Sequence, residues 1–458
     1  MRIPLLVVFA FLVGCAGHQQ TQSAGTSSTL ANAAVEKKEG KSQTPDGAQE
    51  WRWKTWADEN GNVPENAMMK AVEQREQAVA LEFDNGGIQP GTWRWLGPGN
   101  VGGRSRSLWI QPSNANVLVL GSVGGGIWRS TDAGASWNAV NDFPASLAIC
   151  CITGAPGSSY TMYAGTGEGF GSSRMFQQGA GIYKSADSGK TWTRLTSTAN
   201  SNFNYVNRIA IPKSSWSTIL AATTRGLFRS TNSGASWTKV LSGRLKDVEY
   251  HPTNGNLAVA GKDNQAYYST TAGATWTAAT GIGSGNGRVE LAYAKSKPSI
   301  VYASTANVSG GNSGIYRSSD GGKTYTLRNS SINLVFGWYA NIIWVDPTNS
   351  NLIVVGGQSL YRSTNGGTSF TNISGVHADQ HMVLEHPGYN GSSNKTVYVC
   401  NDGGIYRTSN ITTATNKSGW TNLNNRIGIT QFYGGAVSPN GTPVGGTQDN
   451  GTQQITNR

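Results

Sequence analysis

Short segments in which apolar and polar residues alternate recur along most of the chain. At Gly126–Arg129 a glycine is followed by an aliphatic, an aromatic and a basic residue, and the same order returns at Gly181–Lys184, Gly226–Arg229 and Gly314–Arg317. A period of two predicts a β-strand. Each segment leads into a polar turn, after which a Thr/Ser–Trp pair opens another strand. The pattern therefore predicts repeated antiparallel hairpins.

The turn after each segment follows the pattern Ser-x-Asp-x-Gly-x-x-Trp. Successive copies start about 39 to 55 residues apart, a period typical of propeller blades. The copies lie at Ser130–Trp137, Ser185–Trp192, Ser230–Trp237, Ser269–Trp276, Ser318–Tyr325, Ser363–Phe370 and, in degenerate form, Thr408–Trp420. We therefore predict an all-β protein: a β-propeller of seven to eight four-stranded blades, preceded by a short helix and a disordered tether.

The conserved spacing within the turn has a structural explanation. An Asp carboxylate and a Ser hydroxyl accept backbone N–H bonds across a turn, glycine suits a left-handed conformation, and the Trp packs between blades. Asn232, Asn365 and Thr271 replace the Asp in three copies, which a hairpin tolerates and a catalytic carboxylate does not. We assign this structural role to Ser130, Asp132, Gly134, Trp137, Ser185, Asp187, Gly189, Trp192, Ser318, Asp320 and Gly322.

This turn resembles the Asp-box, or BNR repeat, of sialidases, xyloglucanases and sortilin-type propellers, over roughly residues 92 to 458. The resemblance implies a propeller whose boxes hold the fold. A sialidase carries an Arg-Ile-Pro motif before its first box, but only Arg208–Pro212 is similar here, after two boxes, so we reject that activity. The xyloglucanase segment Asp-Val-Gly-Gly-x-Tyr-Arg is similar to Val123–Arg129, with Val123 at the aspartate position. One of the two carboxylates of an inverting hydrolase is then missing.

Two segments near the ends of the chain complement each other. Thr92–Leu96 is similar to the strand after a box but follows no box, and Gly451–Thr456 is similar to the strand before a box but precedes none. Two alternatives follow for the propeller at residues 91–458. Either both ends complete one eighth blade, which removes open sheet edges, or seven blades precede the start of a second propeller in a truncated chain.

Residues 1–15 have a basic end, an apolar run and a small-residue cleavage site, as a secretory signal does. Leu12–Cys15 resembles a bacterial lipobox, which implies a lipid anchor on Cys15 and a place in the cell envelope. Ala16 then implies the outer membrane. The alternative is ordinary secretion without a lipid.

Two segments precede the propeller. Residues 16–50 are polar and nearly devoid of large apolar side chains, so they predict a disordered tether. Residues 51–90 predict a docked segment with one helix from Pro64 to Phe83. The residues of its apolar face are Met68, Val72, Val79 and Phe83.

The chain has a formal net charge of +11 and four cysteines. Basic residues occupy the same place before each turn, so part of this charge follows from the repeat. With the export signal, this excludes nucleic acid as a partner and leaves open a polysaccharide or an envelope protein. Cys150, Cys151 and Cys400 match neither a disulfide framework nor a zinc pattern.

Polar residues fall where the central channel of a propeller is expected. Aligned on the prolines that end the inner strands, these positions include Arg104, Arg106, Arg244, Tyr339, Asp379 and His381. Inner strands usually bury apolar side chains, so we predict an axial binding site. The alternative is a water-filled channel with paired charges and no ligand.

The motif from His377 to His381 alternates imidazole, carboxylate and imidazole, so a strand would place them on one side. His377, Asp379 and His381 could then bind a divalent metal or share a proton. The alternative is a hydrogen-bonded cluster that joins two blades. Apart from such a metal, no cofactor is expected.

Three carboxylates are candidates for catalysis. Asp379 lies in the motif above, and Glu168 lies in the glycine-rich loop Gly165–Gly169, where we predict a rim position. Asp449 follows Gln448 in Gly445–Gly451, and both side chains either face a rim ligand or serve the turn alone.

Three functions follow from these observations: an envelope-anchored propeller that binds a glycan or a protein, a divergent glycoside hydrolase, or an assembly factor that uses the disc as a docking platform. The valine at position 123 favours the first.

Overall fold

The computed structural model describes residues 53–80, 95–140, 146–155, 160–170, 177–283, 287–306 and 313–455. The predicted signal at residues 1–15, with Cys15, and the predicted tether at 16–50 lie outside these residues. None of the described helices is both long enough and apolar enough to cross a membrane.

Seven four-stranded antiparallel sheets form the propeller blades. Blades 1 to 3 contain β1 (Ser105–Ile110), β2 (Leu118–Ser122), β3 (Gly126–Ser130), β4 (Asn138–Ala139), β5 (Ile149–Gly154), β6 (Met162–Thr166), β7 (Ile182–Ser185), β8 (Thr193–Arg194), β9 (Val206–Ala210), β10 (Ile219–Thr223), β11 (Gly226–Ser230) and β12 (Thr238–Leu241). Blades 4 and 5 contain β13 (Leu245–Tyr250), β14 (Ala258–Lys262), β15 (Gln265–Ser269), β16 (Thr277–Ala278), β17 (Arg288–Tyr293), β18 (Val301–Ala306), β19 (Gly314–Ser318) and β20 (Thr326–Asn329).

Blades 6 and 7 contain β21 (Ile342–Val345), β22 (Ile353–Gly356), β23 (Leu360–Ser363), β24 (Thr371–Asn372), β25 (Gln380–Glu385), β26 (Val397–Asn401), β27 (Gly404–Thr408) and β28 (Thr421–Asn422). A separate three-stranded sheet contains β29 (Phe432–Val437), β30 (Pro443–Thr447) and β31 (Thr452–Gln454). The first strand of each blade contacts the first strand of the next, and β25 contacts β1, so the seven blades close a ring.

The apolar cores lie between neighbouring blades. In β2, Leu118 and Leu120 pack against blade 7, whereas Val119 packs against blade 2. Alternate residues of a strand point to opposite faces, and in a propeller both faces are covered. The second strand of each blade is therefore mainly apolar, and it is buried throughout except at Lys262 in β14.

The turn between the third and fourth strands of each blade, which we call the box turn, is held by its own side chains. In the first copy, Ser130 Oγ donates to Asp132 Oδ1 at 2.7 Å and accepts from the Gly134 N–H at 2.9 Å. Asp132 accepts from the N–H and hydroxyl of Ser136 at 2.9 and 2.6 Å. Hydrogen bonds from the Ser136 and Ser130 hydroxyls lower the pKa of Asp132 to about 2.

Left-handed backbone is required at two successive box-turn positions, where Ala133 and Gly134 have φ of 60° and 85°. The sequence analysis assigned this conformation to the glycine alone. In the third copy, Asn232 replaces the carboxylate and its Oδ1 still accepts from the Ser236 N–H at 2.9 Å.

Each box turn packs on the preceding blade. A Cβ at Gly189 would lie 2.9 Å from Val119 of blade 1, so this close approach requires glycine. Arg129, at the end of blade 1, donates to the carbonyl oxygen of Ser188 in the same turn at 3.2 Å. Arg229 bonds the carbonyl of Ala272 in the same manner at 2.8 Å. The repeated basic residues therefore join blades, as the sequence analysis expected of part of the positive charge.

Blade 7 meets blade 1 through side-chain packing and through hydrogen bonds across the join. Trp137 donates to the carbonyl oxygen of Leu423 at 2.8 Å, and Thr430 Oγ1 donates to that of Val101 at 2.9 Å. The proposed split eighth blade is not observed in the described residues, because Trp95 and Leu96 are exposed and outside any strand. The eighth sheet, β29–β31, forms independently of them, and every residue of β29 is exposed.

One helix, α1 (Ala67–Ala80), packs on blades 1 and 2. Its buried residues are Met69 and Val72, which join a cluster containing Trp109 and Trp192. The prediction of Pro64 to Phe83 places the start three residues early, and Met68 is only partly buried. Nothing is described of the side chains of Val79 and Phe83.

The box turn makes a testable prediction for stability. We expect Asp132→Ala to lower the free energy of unfolding by about 1–2 kcal/mol, because the Ser136 N–H and hydroxyl lose their acceptor. Asp132→Asn retains an acceptor and should cause a smaller loss. Urea unfolding of both variants at pH 7 measures the difference. Equal losses would show that the charge, rather than the acceptor, stabilises the turn.

Candidate functional site

A buried ionic cluster joins four blades at the hub of the propeller. Arg104, just before β1, donates from Nε to Asp402 Oδ1 at 3.0 Å and from Nη1 to Glu168 Oε2 at 3.3 Å. Arg106 Nε bonds Glu168 Oε1. The hydroxyl of Tyr339 donates to the same oxygen at 3.0 Å. Loops that follow β6 and β26 supply the two carboxylates, and the segment before β21 supplies the tyrosine.

The two acids of this cluster are held ionised. Burial by itself raises the pKa of Glu168, but Arg106 and Arg104 hold it below its usual value. Burial likewise opposes ionisation of Asp402, yet Arg104 and His381 hold its pKa well below the usual range. Both oxygens of Glu168 are occupied and its exposure is 1%. The prediction of a rim carboxylate at Glu168 is therefore wrong: it is a buried counter-ion.

The ring of Phe170 lies in the hub within cation–π distance of three cations. The distances from its ring centroid are 4.0 Å to Arg288 Cζ, 4.6 Å to Arg106 Cζ and 5.3 Å to Lys246 Nζ. Lys246 also donates to the carbonyl of Gly169 at 2.8 Å, and burial followed by the charge of Arg244 lowers its pKa to about 7. These cations bind groups of the protein itself.

The predicted axial binding residues therefore divide into two groups. Four of them are buried in the hub: Arg104, Arg106, Tyr339 and His381. Their surroundings fit the alternative of paired charges better than that of an open ligand site. Arg244 lies apart from this cluster, with Asp263 at 3.7 Å and a side chain that is 41% exposed.

The predicted metal site does not form. His381 Nε2 bonds Asp402 Oδ1 at 2.6 Å, whereas His377 Nε2 lies 2.8 Å from the backbone oxygen of Asp449. Asp379 has a φ of 63°, and β25 begins only at Gln380, so strand alternation is broken inside the motif. No group of three acidic, histidine or cysteine residues in the described part of the chain could hold a metal ion. The motif instead forms three separate hydrogen bonds: His381 bonds within blade 7, the Asp379 N–H bonds Gln358 of blade 6, and His377 bonds the turn between β30 and β31.

The turn between the second and third strands of the eighth sheet lies at one end of the channel. This is the end at which the first strands of the blades begin, and we call it the mouth. Between β30 and β31, Gln448 N donates to the Gln431 carbonyl at 2.8 Å, and Asn450 Nδ2 donates to the Asp402 carbonyl at 3.0 Å. Asp449 Oδ2 thereby lies 3.7 Å from Arg104 Nη2 and stays 41% exposed. The sequence analysis named Gln448 and Asp449 as candidate site residues. Their position beside Asp379 follows only from the tertiary structure.

One carboxyl group at the mouth, that of Asp379, can carry a proton near neutral pH. Burial, and then the charges of Asp402 and Asp449, raise the pKa of Asp379 to about 6. Burial and Asp402 also raise the pKa of Asp449. Asp379 Oδ1 and Gln448 Oε1 are buried atoms without a hydrogen-bond partner in the described residues. A protonated acid beside an ionised one is the arrangement that general acid–base catalysis uses.

An exposed aromatic loop adjoins these carboxyl groups. Phe336 is 45% exposed and has a φ of 56°, a strained conformation for a bulky residue. Its ring centroid lies 6.3 Å from that of Trp338. The loop connects to Asp379 through Gln358, whose N–H donates to Val335 O at 2.8 Å and whose carbonyl accepts from Asp379 N at 3.0 Å. The sequence analysis missed this loop, although residues 335–339 contain three aromatics and no box pattern.

The ring of blades, the acidic mouth and the aromatic loop define a β-propeller with a candidate ligand site at one end of its channel. No protein-family model matches the chain. A xyloglucanase from Hypocrea jecorina (strain QM6a) is 29% identical over 180 residues, which are 35% of this chain and 22% of that enzyme.

Two solved structures have a similar fold. A GH74 enzyme from Niastella koreensis has 18% identity and a TM-score of 0.62, with 78% of this chain and 59% of that enzyme covered. The GH74 xyloglucanase from Xanthomonas campestris has 16% identity and a TM-score of 0.62, with 79% and 60% covered. The chain thus spans about three fifths of the solved enzymes. These likenesses show the fold.

Val123 is the residue that the xyloglucanase resemblance places at the aspartate position. It is 1% exposed, and its N–H donates to the Arg104 carbonyl at 3.0 Å. The acids of the mouth come from other parts of the chain.

The hub cluster predicts a large stability effect. We expect Glu168→Gln to lower the free energy of unfolding by about 3–5 kcal/mol, because Arg104 and Arg106 lose a buried counter-ion. Glu73→Gln, on the exposed face of α1, is the matched control and should change it by less than about 0.5 kcal/mol. Denaturant unfolding at pH 7 compares the two. Similar effects would mean that the cluster contributes little to folding.

Proposed function

We propose that this protein acts on a polysaccharide at the mouth of its channel, as a divergent glycoside hydrolase with Asp379 as the proton donor. The observation that carries the proposal is the partly buried Asp379 carboxyl, with Oδ1 unpartnered, next to Asp449 and the aromatic loop. The fold shared with GH74 enzymes supports the same chemical class.

The two mouth carboxyls suit the two roles of glycoside hydrolysis. One carboxylic acid protonates the leaving oxygen while a carboxylate activates water or attacks the sugar. Burial and the charge of Asp402, followed by that of Asp449, raise the pKa of Asp379, so the pair retains one proton more readily than two separate acids would. Asp379, the more enclosed, would donate that proton, and the exposed Asp449 would act as the base.

The aromatic loop supplies a surface for a sugar ring. Pyranose rings present C–H faces that pack on aromatic side chains, and exposed aromatics next to polar groups are typical of ligand sites. Phe336 and Trp338 would hold a chain that continues past Asp379.

A second candidate is a propeller that binds a glycan without cleaving it. Val123 favours this candidate, because it occupies the place of a xyloglucanase carboxylate. An envelope protein is the alternative partner in this case.

Asp379 provides the decisive activity test. The protein should release reducing sugar from at least one member of a plant and bacterial polysaccharide panel, with activity falling as the pH rises above about 6, where Asp379 loses its proton. Asp379→Asn should lower kcat by about 100-fold or more. Asp263→Asn, which alters the partly exposed partner of Arg244 on blade 4, should leave kcat unchanged.

Binding assays separate the two candidates. In one outcome, the original chain and the Asp379→Asn variant both bind a glycan without releasing sugar, and that binding is lost in Phe336→Ala. This result would support the glycan-binding function and contradict hydrolysis. Activity in the Asp379→Asn variant equal to that of the original chain would contradict the assigned proton donor.

We also propose that the protein is anchored in the cell envelope by a lipid on Cys15. Expression in a bacterium with labelled palmitate should label the original chain, and Cys15→Ser should abolish the label. Secretion of the original chain without label would contradict the anchor.

A further inference from the structure

The other end of the channel contains a cavity of about 470 Å³, lined by the inner strands of all seven blades. The mouth lies where these strands begin, since Asp379 precedes β25, whereas the cavity reaches where they end, at Tyr250, Tyr293 and Glu385. The hub cluster around Glu168 and Phe170 lies between the two. The cavity is therefore a second site, independent of the proposed hydrolase.

The cations within the cavity already have carboxylate partners. Arg208 donates to Asp247 Oδ1 and to Glu290 Oε2, each at 3.0 Å. Lys295 Nζ pairs with Glu385 Oε1, and that carboxylate also accepts from Trp344 Nε1 at 2.8 Å. The remaining cation, Lys213, is exposed to solvent at the rim.

Two polar groups of the cavity can accept a further hydrogen bond: the carboxylate of Glu249, when it is ionised, and the Nδ1 atom of His381. Glu249 lines the cavity and accepts the Tyr293 N–H on Oε2 at 3.2 Å, but it forms no salt bridge with any residue that the structure describes. His381, also on the lining, has a buried Nδ1 without a hydrogen-bond partner. Because Nε2 of His381 bonds the ionised Asp402, it carries the ring proton and leaves a lone pair on Nδ1.

We propose that this cavity binds a small compound with a primary ammonium group and a short apolar body. The ammonium would donate to Glu249, with His381 Nδ1 as a deeper acceptor. An ammonium group has three donors and no acceptor, which suits the Glu249 carboxylate that forms when the cation binds and the lone pair on His381 Nδ1. The apolar body would lie against Tyr250, Tyr293 and Trp344, which also line the cavity. Aromatic rings also attract a nearby cation such as the ammonium group.

Proton linkage supports the same ligand class. Burial, and then the charge of Asp247, raise the pKa of Glu249 to about 8, with Arg208 and Lys295 opposing the rise. Glu249 is therefore mostly protonated at pH 7 in the free protein. A bound cation favours the carboxylate, so binding at pH 7 should release a proton. At pH 9.5, above the folded pKa, Glu249 is already ionised and the release should disappear.

The test uses the intact chain with n-butylamine, and 1-butanol as a neutral isostere. Calorimetry should show n-butylamine binding at least ten-fold more tightly than 1-butanol. Glu249→Gln, which retains the shape and the acceptor for Tyr293, should weaken n-butylamine binding at least ten-fold. Glu73→Gln serves as the matched control and should bind as the original chain does. Asp379→Asn should also bind normally, which separates this proposal from the proposed function.

A second measurement needs no variant. The heat of binding at pH 7 should differ between phosphate and MOPS, neither of which is a primary amine, by the amount expected for about one released proton, and at pH 9.5 it should not differ between borate and CHES. Equal affinity for the amine and the alcohol, no binding of either, or unchanged binding in Glu249→Gln would each overturn the proposal. Binding of the amine without buffer dependence at pH 7 would exclude Glu249 as the group that meets it.

Discussion

The packing of each box turn on the preceding blade is the contact on which this structure depends. A single blade cannot bury both of its faces, so its stability comes from its two neighbours. The close approach of Gly189 to Val119 shows how little space separates adjacent sheets. The Arg129 bond to Ser188 then fixes the turn to the neighbouring blade. Repeating this contact around the ring brings β25 beside β1, and no strand has to cross between blades for closure.

Ring closure places the first strands around a narrow axis, where charged side chains must be neutralised locally. Arg104, Arg106, Glu168 and Asp402 meet this requirement as one buried network. The network divides the channel into an acidic mouth and a separate cavity. Asp379 and Glu249 lie outside the network and have raised pKa values, because burial and then a neighbouring carboxylate (Asp402 and Asp247, respectively) oppose their ionisation. Groups of that kind are where chemistry or ligand binding is expected.

Similarity of fold to GH74 enzymes does not transfer their active sites. At Val123 this chain has an apolar side chain where the xyloglucanase segment has an aspartate, and the mouth acids come from the motif around Asp379 and from the eighth sheet. Function resides in such sites rather than in the propeller that carries them. The predicted metal site shows why spacing alone misleads: strand alternation would align His377 with His381, but the left-handed residue Asp379 turns them towards different partners.

The sequence by itself determined the class of fold, because hairpin alternation and the box turns are local: each depends on residues within about ten positions of one another. It also identified Asp379, Asp449 and the hub arginines as unusual polar residues. The tertiary structure decided which of these are free. Glu168 is a buried counter-ion. Asp449 lies beside Asp379 although it belongs to a different sheet, and Phe336 is exposed on a loop that has no repeat signature. Such pairings join residues up to hundreds of positions apart, and their energies depend on burial, which local pattern does not encode.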